Sequence, residues 1–135
     1  MEITMKLKKG WILIMMLAFS TFAFSACGGQ TEASYKQITQ AEAKAIMDSG
    51  AECVIIDART EEEFAQGHIP GAILIPEYEI ASRAEAELPD KNALILVYCR
   101  SGRRSKIASE ELVKLGYTNV QEFGGILDWI YDVVK

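Results

Sequence analysis

The chain has 135 residues, with 14 Lys and Arg against 19 Asp and Glu, a formal net charge of −5, and one histidine. An acidic balance excludes a general nucleic-acid binder, and the length suits one compact domain rather than two. Lys6, Lys8 and Lys9 open the chain with a short basic region, followed by fourteen uncharged residues from Trp11 to Phe24. A basic region, a short apolar stretch and small residues before a polar boundary are the pattern of a secretory signal peptide, here residues 1–26. A permanent membrane span needs about 20 apolar residues, so this stretch is short for one. From Cys27 onward 109 residues remain, with 11 basic and 18 acidic side chains and a net charge of −7.

Residues 27–34 read as a polar tether and residues 35–135 as the domain. Tyr35 to Ile38 suits a brief edge strand. Thr39 and Glu42 have the spacing of a capping box, which predicts a helix ending at Asp48-Ser49-Gly50. Cys53 to Asp57 reads as a buried strand ending in a carboxylate. Thr60 followed by Glu61, Glu62 and Glu63 predicts a second short helix with a hydroxyl cap and acids in its first turn. Gly67-His68-Ile69-Pro70-Gly71 is a turn, Ala72 to Pro76 a third strand, and Ala81 to Leu88 a helix. Leu94 to Tyr98 is a fully apolar strand. Ser101 to Leu115 predicts the longest helix, from Ile107, Ala108, Leu112 and Leu115 at helical spacing, with Gly116 past its end. Val120 to Phe123 is a last strand, and Ile126 to Val133 a closing helix.

Short apolar strands alternating with helices predict a largely parallel sheet in an α/β domain. Ligands of such sheets bind beyond the carboxyl ends of the strands, where Asp57 and Cys99 both stand. Cys53 stands at the amino end of its strand, so a Cys53–Cys99 disulfide would have to cross the sheet, beyond the roughly 7 Å its Cα atoms allow. Cys53 is therefore expected to be an inert apolar side chain.

Chemistry concentrates in Cys99-Arg100-Ser101-Gly102-Arg103-Arg104-Ser105. A cysteine closing a buried strand, with arginines and a helix N-terminus after it, is suited to hold a sulfur anion, because positive charge and a helix N-terminus both favour the thiolate. Backbone N–H groups curling around the sulfur would form an anion cradle. Gly102 supplies a positive φ or a close approach. Ser101 and Ser105 are candidates to hydrogen-bond to sulfur or to cap the helix. Arg100 and Arg103 are expected to face solvent and attract anions, and Arg104 to brace the loop by pairing with an acid.

This loop, together with Asp57-Ala58-Arg59, Glu63-Phe64 leading to Gly67-His68-Ile69-Pro70-Gly71-Ala72, and Phe123-Gly124-Gly125 with Trp129, resembles the single-domain rhodanese (sulfurtransferase) family over residues 35–134. The resemblance implies a rhodanese-like α/β fold, a five-stranded, mostly parallel sheet with helices on both faces. It implies transfer of sulfane sulfur from a small anionic donor such as thiosulfate to cyanide or a thiol, through a persulfide on Cys99, with the N–H groups of residues 100–104 around the sulfur. No metal, nucleotide or organic cofactor is implied. Asp57 and Arg59 become residues that tie the rim together behind the loop, and His68 part of a structural turn rather than a base. Protein tyrosine phosphatases place an arginine six residues after the cysteine. Here that position is Ser105 and the last loop arginine, Arg104, comes one earlier, a tighter cradle that disfavours phosphatase and arsenate-reductase readings. A non-catalytic sulfur carrier, or an anion- or partner-binding module, is the alternative within the fold. Ser25-Ala26-Cys27 resembles the lipobox of bacterial lipoproteins, with Phe24 where leucine is usual. That implies a lipidated Cys27, export, and membrane anchoring outside the cytoplasm. A thiol kept reduced there calls for a redox protein partner.

Overall fold

The computed structural model describes residues 33–135. The expected signal peptide, Cys27 and most of the expected tether lie outside the described residues. Five parallel strands run β1 (Lys36–Gln37), β2 (Val54–Asp57), β3 (Ala72–Leu74), β4 (Ile95–Cys99) and β5 (Val120–Gly125). They lie in the order β1-β5-β4-β2-β3, every pairing parallel. This is the five-stranded α/β sheet expected from the sequence.

Strand periodicity divides the core in two. Ile56, Ile95 and Val97 point to one face, where they pack with Ile80, Ala84, Ala108 and Leu112 of α3 (Ile80–Glu87) and α4 (Arg103–Lys114). Ile55, Leu96, Tyr98 and Phe123 point to the other, against Ala43 and Ile46 of α1 (Gln40–Asp48). Alternation of side chains along each strand makes one apolar run serve both layers. Thr39 and Glu42 form a complete capping box at α1, and Thr60 and Glu63 form a second at α2 (Glu61–Gln66).

Two boundaries differ from expectation in a way that bears on the site. Helix α4 begins at Arg103 rather than Ser101, because Gly102 turns through φ +100° as its N-cap and the chain from Cys99 to Gly102 is spent on the loop. The closing helix expected over Ile126–Val133 is only a 3-10 turn, Ile126–Asp128. Beyond it Val134 forms an antiparallel bridge with His68, its N–H and C=O both paired with His68 backbone. That cross-chain pairing and the β-branched Val133-Val134 pair favour extended backbone over a helix. Trp129 is half-buried against the Phe123 cluster.

Candidate active site

Cys99 ends β4 and is buried at the floor of the loop, 1% exposed. The Gly102 N–H donates to its Sγ at 3.0 Å, and Sγ lies 3.4 Å from Ser105 Oγ. Of the amides of residues 100–104 expected around the sulfur, Gly102 is the one within hydrogen-bond reach among the described residues. The loop closes over it: the Arg100 carbonyl accepts from Leu127 N–H instead of facing the thiol. Ser101 is exposed on the outside of the loop. Ser105, on the first turn of α4, is fully buried beneath it.

β5 supports the loop from below. Four of its residues, Glu122 to Gly125, stand opposite three of β4, Val97 to Cys99. This bulge sets Gly125 directly against the loop backbone. A Cβ on Gly125 would lie 2.1 Å from the Arg100 carbonyl oxygen, so only glycine fits. Gln40 Nε2 on α1 donates to the Gly125 carbonyl at 2.7 Å.

The four arginines of the rim divide into two kinds. Arg104 makes a two-pronged ion pair with Glu63, 2.8 Å at each contact. The hydrogen bond from Arg104, assisted by the Thr60 cap and working against burial, lowers the Glu63 carboxyl to about 2. Arg59 makes a similar pair with the fully buried Asp57, Nη2 to Oδ2 at 2.7 Å, and donates to the Gly67 carbonyl at 2.7 Å. Arg100 and Arg103 are exposed and make no ion pair among the described residues.

Asp57 is joined by Tyr98, whose hydroxyl donates to Asp57 Oδ2 at 2.6 Å and accepts from the Ile69 N–H at 3.0 Å. Burial, with the Asp57 hydrogen bond second, pushes the Tyr98 phenol up, so it serves as a permanent donor. Asp57, Arg59 and Tyr98 tie β2, β4 and the Gly67–Gly71 turn together, and no hydrogen bond runs from them to Cys99 among the described residues. His68 stacks on Phe64 at 3.7 Å, and its Nδ1 lies 3.0 Å from the Phe64 carbonyl, within the turn rather than at the sulfur.

Cys53 stands just before β2, and both it and Cys99 are free thiols. Burial pushes the Cys53 thiol up. It lines a cleft of about 470 Å³ with Leu88, Pro89 and Asn119, at the amino ends of the strands and away from the loop. Among the described residues no group of three or more His, Cys, Asp or Glu could hold a metal ion. Glu63, Tyr98, Glu122 and Gly125 are the site residues that sequence reasoning did not assign. The GG pair after Phe123 was the visible signal for Gly125 and the Glu63-Phe64 pair for Glu63; Tyr98 and Glu122 carried none.

A sequence model of the Rhodanese-like domain matches residues 39–132. The chain is 44% identical over 80 residues to thiosulfate sulfurtransferase PspE of Escherichia coli, covering 59% of this chain and 77% of that protein. A solved structure of a rhodanese with anions from E. coli superposes with a TM-score of 0.57 at 43% identity, over 61% of this chain and 96% of that one. A rhodanese-related protein from Thermoplasma volcanium superposes at 0.63 with 30% identity, over 74% and 98%.

Proposed function

The chain belongs to the rhodanese-like domain family and is a rhodanese-type sulfurtransferase, and from that premise we propose that Cys99 carries sulfane sulfur from thiosulfate to cyanide or a thiol as a persulfide. The observation that carries the proposal is the Gly102 N–H held 3.0 Å from Cys99 Sγ at the N-terminus of α4. A backbone donor already aimed at sulfur stabilises negative charge there without reorganisation.

In the first step the Cys99 thiolate attacks the outer sulfur of thiosulfate. The new S–S bond forms at Sγ, and the donor's S–S bond breaks with its electron pair leaving on sulfite. In the second step the acceptor attacks the outer sulfur of the persulfide, and the thiolate returns. Splitting the transfer through a covalent intermediate replaces one hard displacement with two easier ones. Burial of Cys99 at the loop floor favours a slender anion, and the exposed Arg100 and Arg103 favour its approach. Ser105 contacts the sulfur, Arg104 braces the loop through Glu63, and Asp57 with Arg59 braces the strand beside it.

Thiosulfate and cyanide supplied to the purified protein are expected to yield thiocyanate, and thiosulfate alone to add the mass of one sulfur atom at Cys99. Cys99→Ser is expected to lose both. Thiocyanate production that survives Cys99→Ser would refute the proposal. We further propose, from the leader and Ser25-Ala26-Cys27, that Cys27 is lipidated and holds the domain at the outer side of a bacterial membrane, with a redox protein partner keeping Cys99 reduced. Two lipid chains on one residue give stable anchoring at about 0.8 kcal/mol per buried CH₂. Retention of a Cys27→Ser variant in the membrane fraction would argue against it.

A further inference from the structure

We propose that Glu122 takes up the Cys99 thiol proton through the Ser105 hydroxyl, so that the loop holds one negative charge at a time, on the carboxylate or on the sulfur. The proposal rests on Cys99 as the sulfur-carrying thiol, but its test needs no sulfur donor. Glu122 belongs to none of the sequence motifs. It lies on β5 in the middle of the sheet, 3% exposed, and makes no ion pair among the described residues. A buried carboxylate so close to a sulfur that must become anionic opposes that anion unless its own charge can be removed.

The hydrogen bonds of Ser105 give that charge a way to be removed. Ser105 Oγ stands between the two groups, 2.6 Å from Glu122 Oε1 and 3.4 Å from Cys99 Sγ. The Gly102 and Gly124 carbonyl oxygens lie farther off, at 3.1 and 3.4 Å. The hydroxyl has one hydrogen. With Cys99 as a thiol, that hydrogen goes to the nearest acceptor, Glu122, and the S–H donates to Oγ. With both ends anionic, one hydrogen serves two anions and the sulfur meets an oxygen lone pair. If the thiol proton passes to Oγ while the hydroxyl proton passes to Oε1, every contact is again a hydrogen bond, with its direction reversed. The Gly124 N–H, 2.8 Å from Oε1, holds the carboxyl in place in either state.

The carboxyl also has a route to solvent. Glu122 lines an open groove of about 480 Å³ beside the loop, walled by Gln40, Lys106 and Asp128. Its Oε2 makes no hydrogen bond among the described residues, which leaves that oxygen to exchange protons with water there. The charged or titratable groups facing Glu122 are Cys99 from β4, Lys106 from α4, Asp128 from the 3-10 turn and Tyr35 ahead of β1. Glu110 of α4 faces Tyr35 in turn. Burial, then Glu110 and Glu122, push the Tyr35 phenol up, so it is no competing anion. Lys106 is exposed and the one cation among them.

The transfer step balances on this scheme. The thiol proton rests on Glu122, the Sγ electron pair forms the bond to the outer sulfur of thiosulfate, and the electrons of the broken S–S bond leave with sulfite. The charge on the enzyme is the same before and after.

The test is the rate of iodoacetamide alkylation at Cys99 against pH, read from the Cys99 peptide by mass in the full chain. A coupled pair sheds its protons in two steps, so the wild-type profile is expected to show two inflections with a plateau between. Glu122→Gln keeps the shape and the acceptor oxygen but cannot hold the proton. It is expected to show one inflection and no plateau, because the thiol then titrates without a coupled carboxyl. Glu122→Asp is expected to restore two inflections. One inflection in the wild type, whatever the rate of Glu122→Gln, would overturn the proposal and leave Glu122 as a merely repelling charge. Should Glu122→Gln fail to fold, the wild type decides by infrared spectroscopy. A protonated-carboxyl stretch that persists at neutral pH and vanishes when Cys99 is alkylated is expected, and its absence would overturn the proposal. A two-step alkylation profile in a protein that forms no thiocyanate would refute the sulfur-transfer reading and leave this one standing.

Discussion

Replacing Gly125 with alanine separates the position of the Cys99 loop from its chemistry. Gly125 has an ordinary extended backbone, φ −131°, so alanine costs nothing in conformation. Its cost is contact. The new methyl would lie 2.1 Å from the Arg100 carbonyl oxygen, 2.5 Å from the Arg100 carbonyl carbon and 2.6 Å from Ser101 Cα. Comfortable contacts of this kind sit near 3.5 Å, so the loop has to retreat by roughly 1 Å. Every obstructing atom is backbone, and the Arg100 carbonyl is held in turn by the Leu127 N–H, so no flexible side chain can absorb the shift. Overpacking a filled site costs about 1–3 kcal/mol, and this rigidity places Gly125→Ala in the upper half of that range. A domain of about 100 residues then loses roughly 10 °C in Tm.

The functional loss is expected to be larger. A displacement of about 1 Å at a reacting group can cost about 10²-fold in rate, and here it moves the Gly102 N–H relative to Sγ. The assay is kcat/KM for thiocyanate formation from thiosulfate and cyanide, measured well below Tm, beside urea unfolding. Val120→Ala is the control. It lies on the same strand at the opposite end, 3% exposed, and is expected to cost about 1–2 kcal/mol as a small cavity with unchanged kcat/KM. A Gly125→Ala protein with wild-type kcat/KM, or a Val120→Ala protein equally impaired, would refute the claim that β5 sets the loop.

Tyr98→Phe leaves the Ile69 N–H unsatisfied and takes a hydrogen bond from buried Asp57; a loss of about 1–3 kcal/mol is expected in urea unfolding, with Cys99 alkylation still proceeding. Glu63 is held down to about 2 by Arg104, so its ion pair contributes fully above its unfolded value near 4.3 and is lost as pH falls toward 2. The pair is about three-quarters buried, between the surface and interior cases, so Glu63→Gln is expected to cost about 2 kcal/mol at neutral pH and to flatten the acid limb of the stability–pH curve, read by circular dichroism; an unchanged acid limb would contradict this. His68→Ala removes the stack on Phe64 and the contact to its carbonyl; about 1 kcal/mol of stability is expected to go, with thiocyanate formation retained, and loss of turnover in a folded variant would return His68 to the chemistry.

Much of this architecture is visible in the sequence because local signals agree with the fold. The capping box at Thr39 and the hydroxyl cap at Thr60 mark two helix starts correctly, and the apolar run before Cys99 marks the central strand. What the sequence hides depends on partners far along the chain. Glu63 reads as one of three acids in a helix first turn, and its meeting with Arg104 exists only once α2 and α4 flank the same rim. Tyr98 reads as one more apolar residue, because nothing local says that its hydroxyl will find Asp57 on the neighbouring strand. Glu122 looks like a polar position on a short strand. It is buried because β5 lies between β1 and β4, an order that local periodicity does not encode. The expected closing helix failed for the same reason, the residue just past its end, Val134, being claimed by His68.

The division of the arginines bears on what makes the sulfur reactive. Four guanidinium groups near one cysteine suggest, on the sequence alone, that arginine charge stabilises the anion directly. Two of the four are already matched by carboxylates, Arg104 by Glu63 and Arg59 by Asp57, and each pair presents little net charge to the sulfur. The other two, Arg100 and Arg103, are exposed to solvent, where their fields are screened within about 8–10 Å by ordinary salt. Stabilisation at Sγ itself therefore falls to the Gly102 N–H at the N-terminus of α4 and to the Ser105 hydroxyl, which lie against the sulfur. On the proposed mechanism the exposed pair acts at longer range, on an anion approaching a domain of net negative charge. Capture of the donor and activation of the thiol are thus assigned to different groups in one seven-residue loop. On the proposed mechanism Arg104 braces the loop, the exposed arginines draw in the anion, and the groups at the sulfur carry the charge.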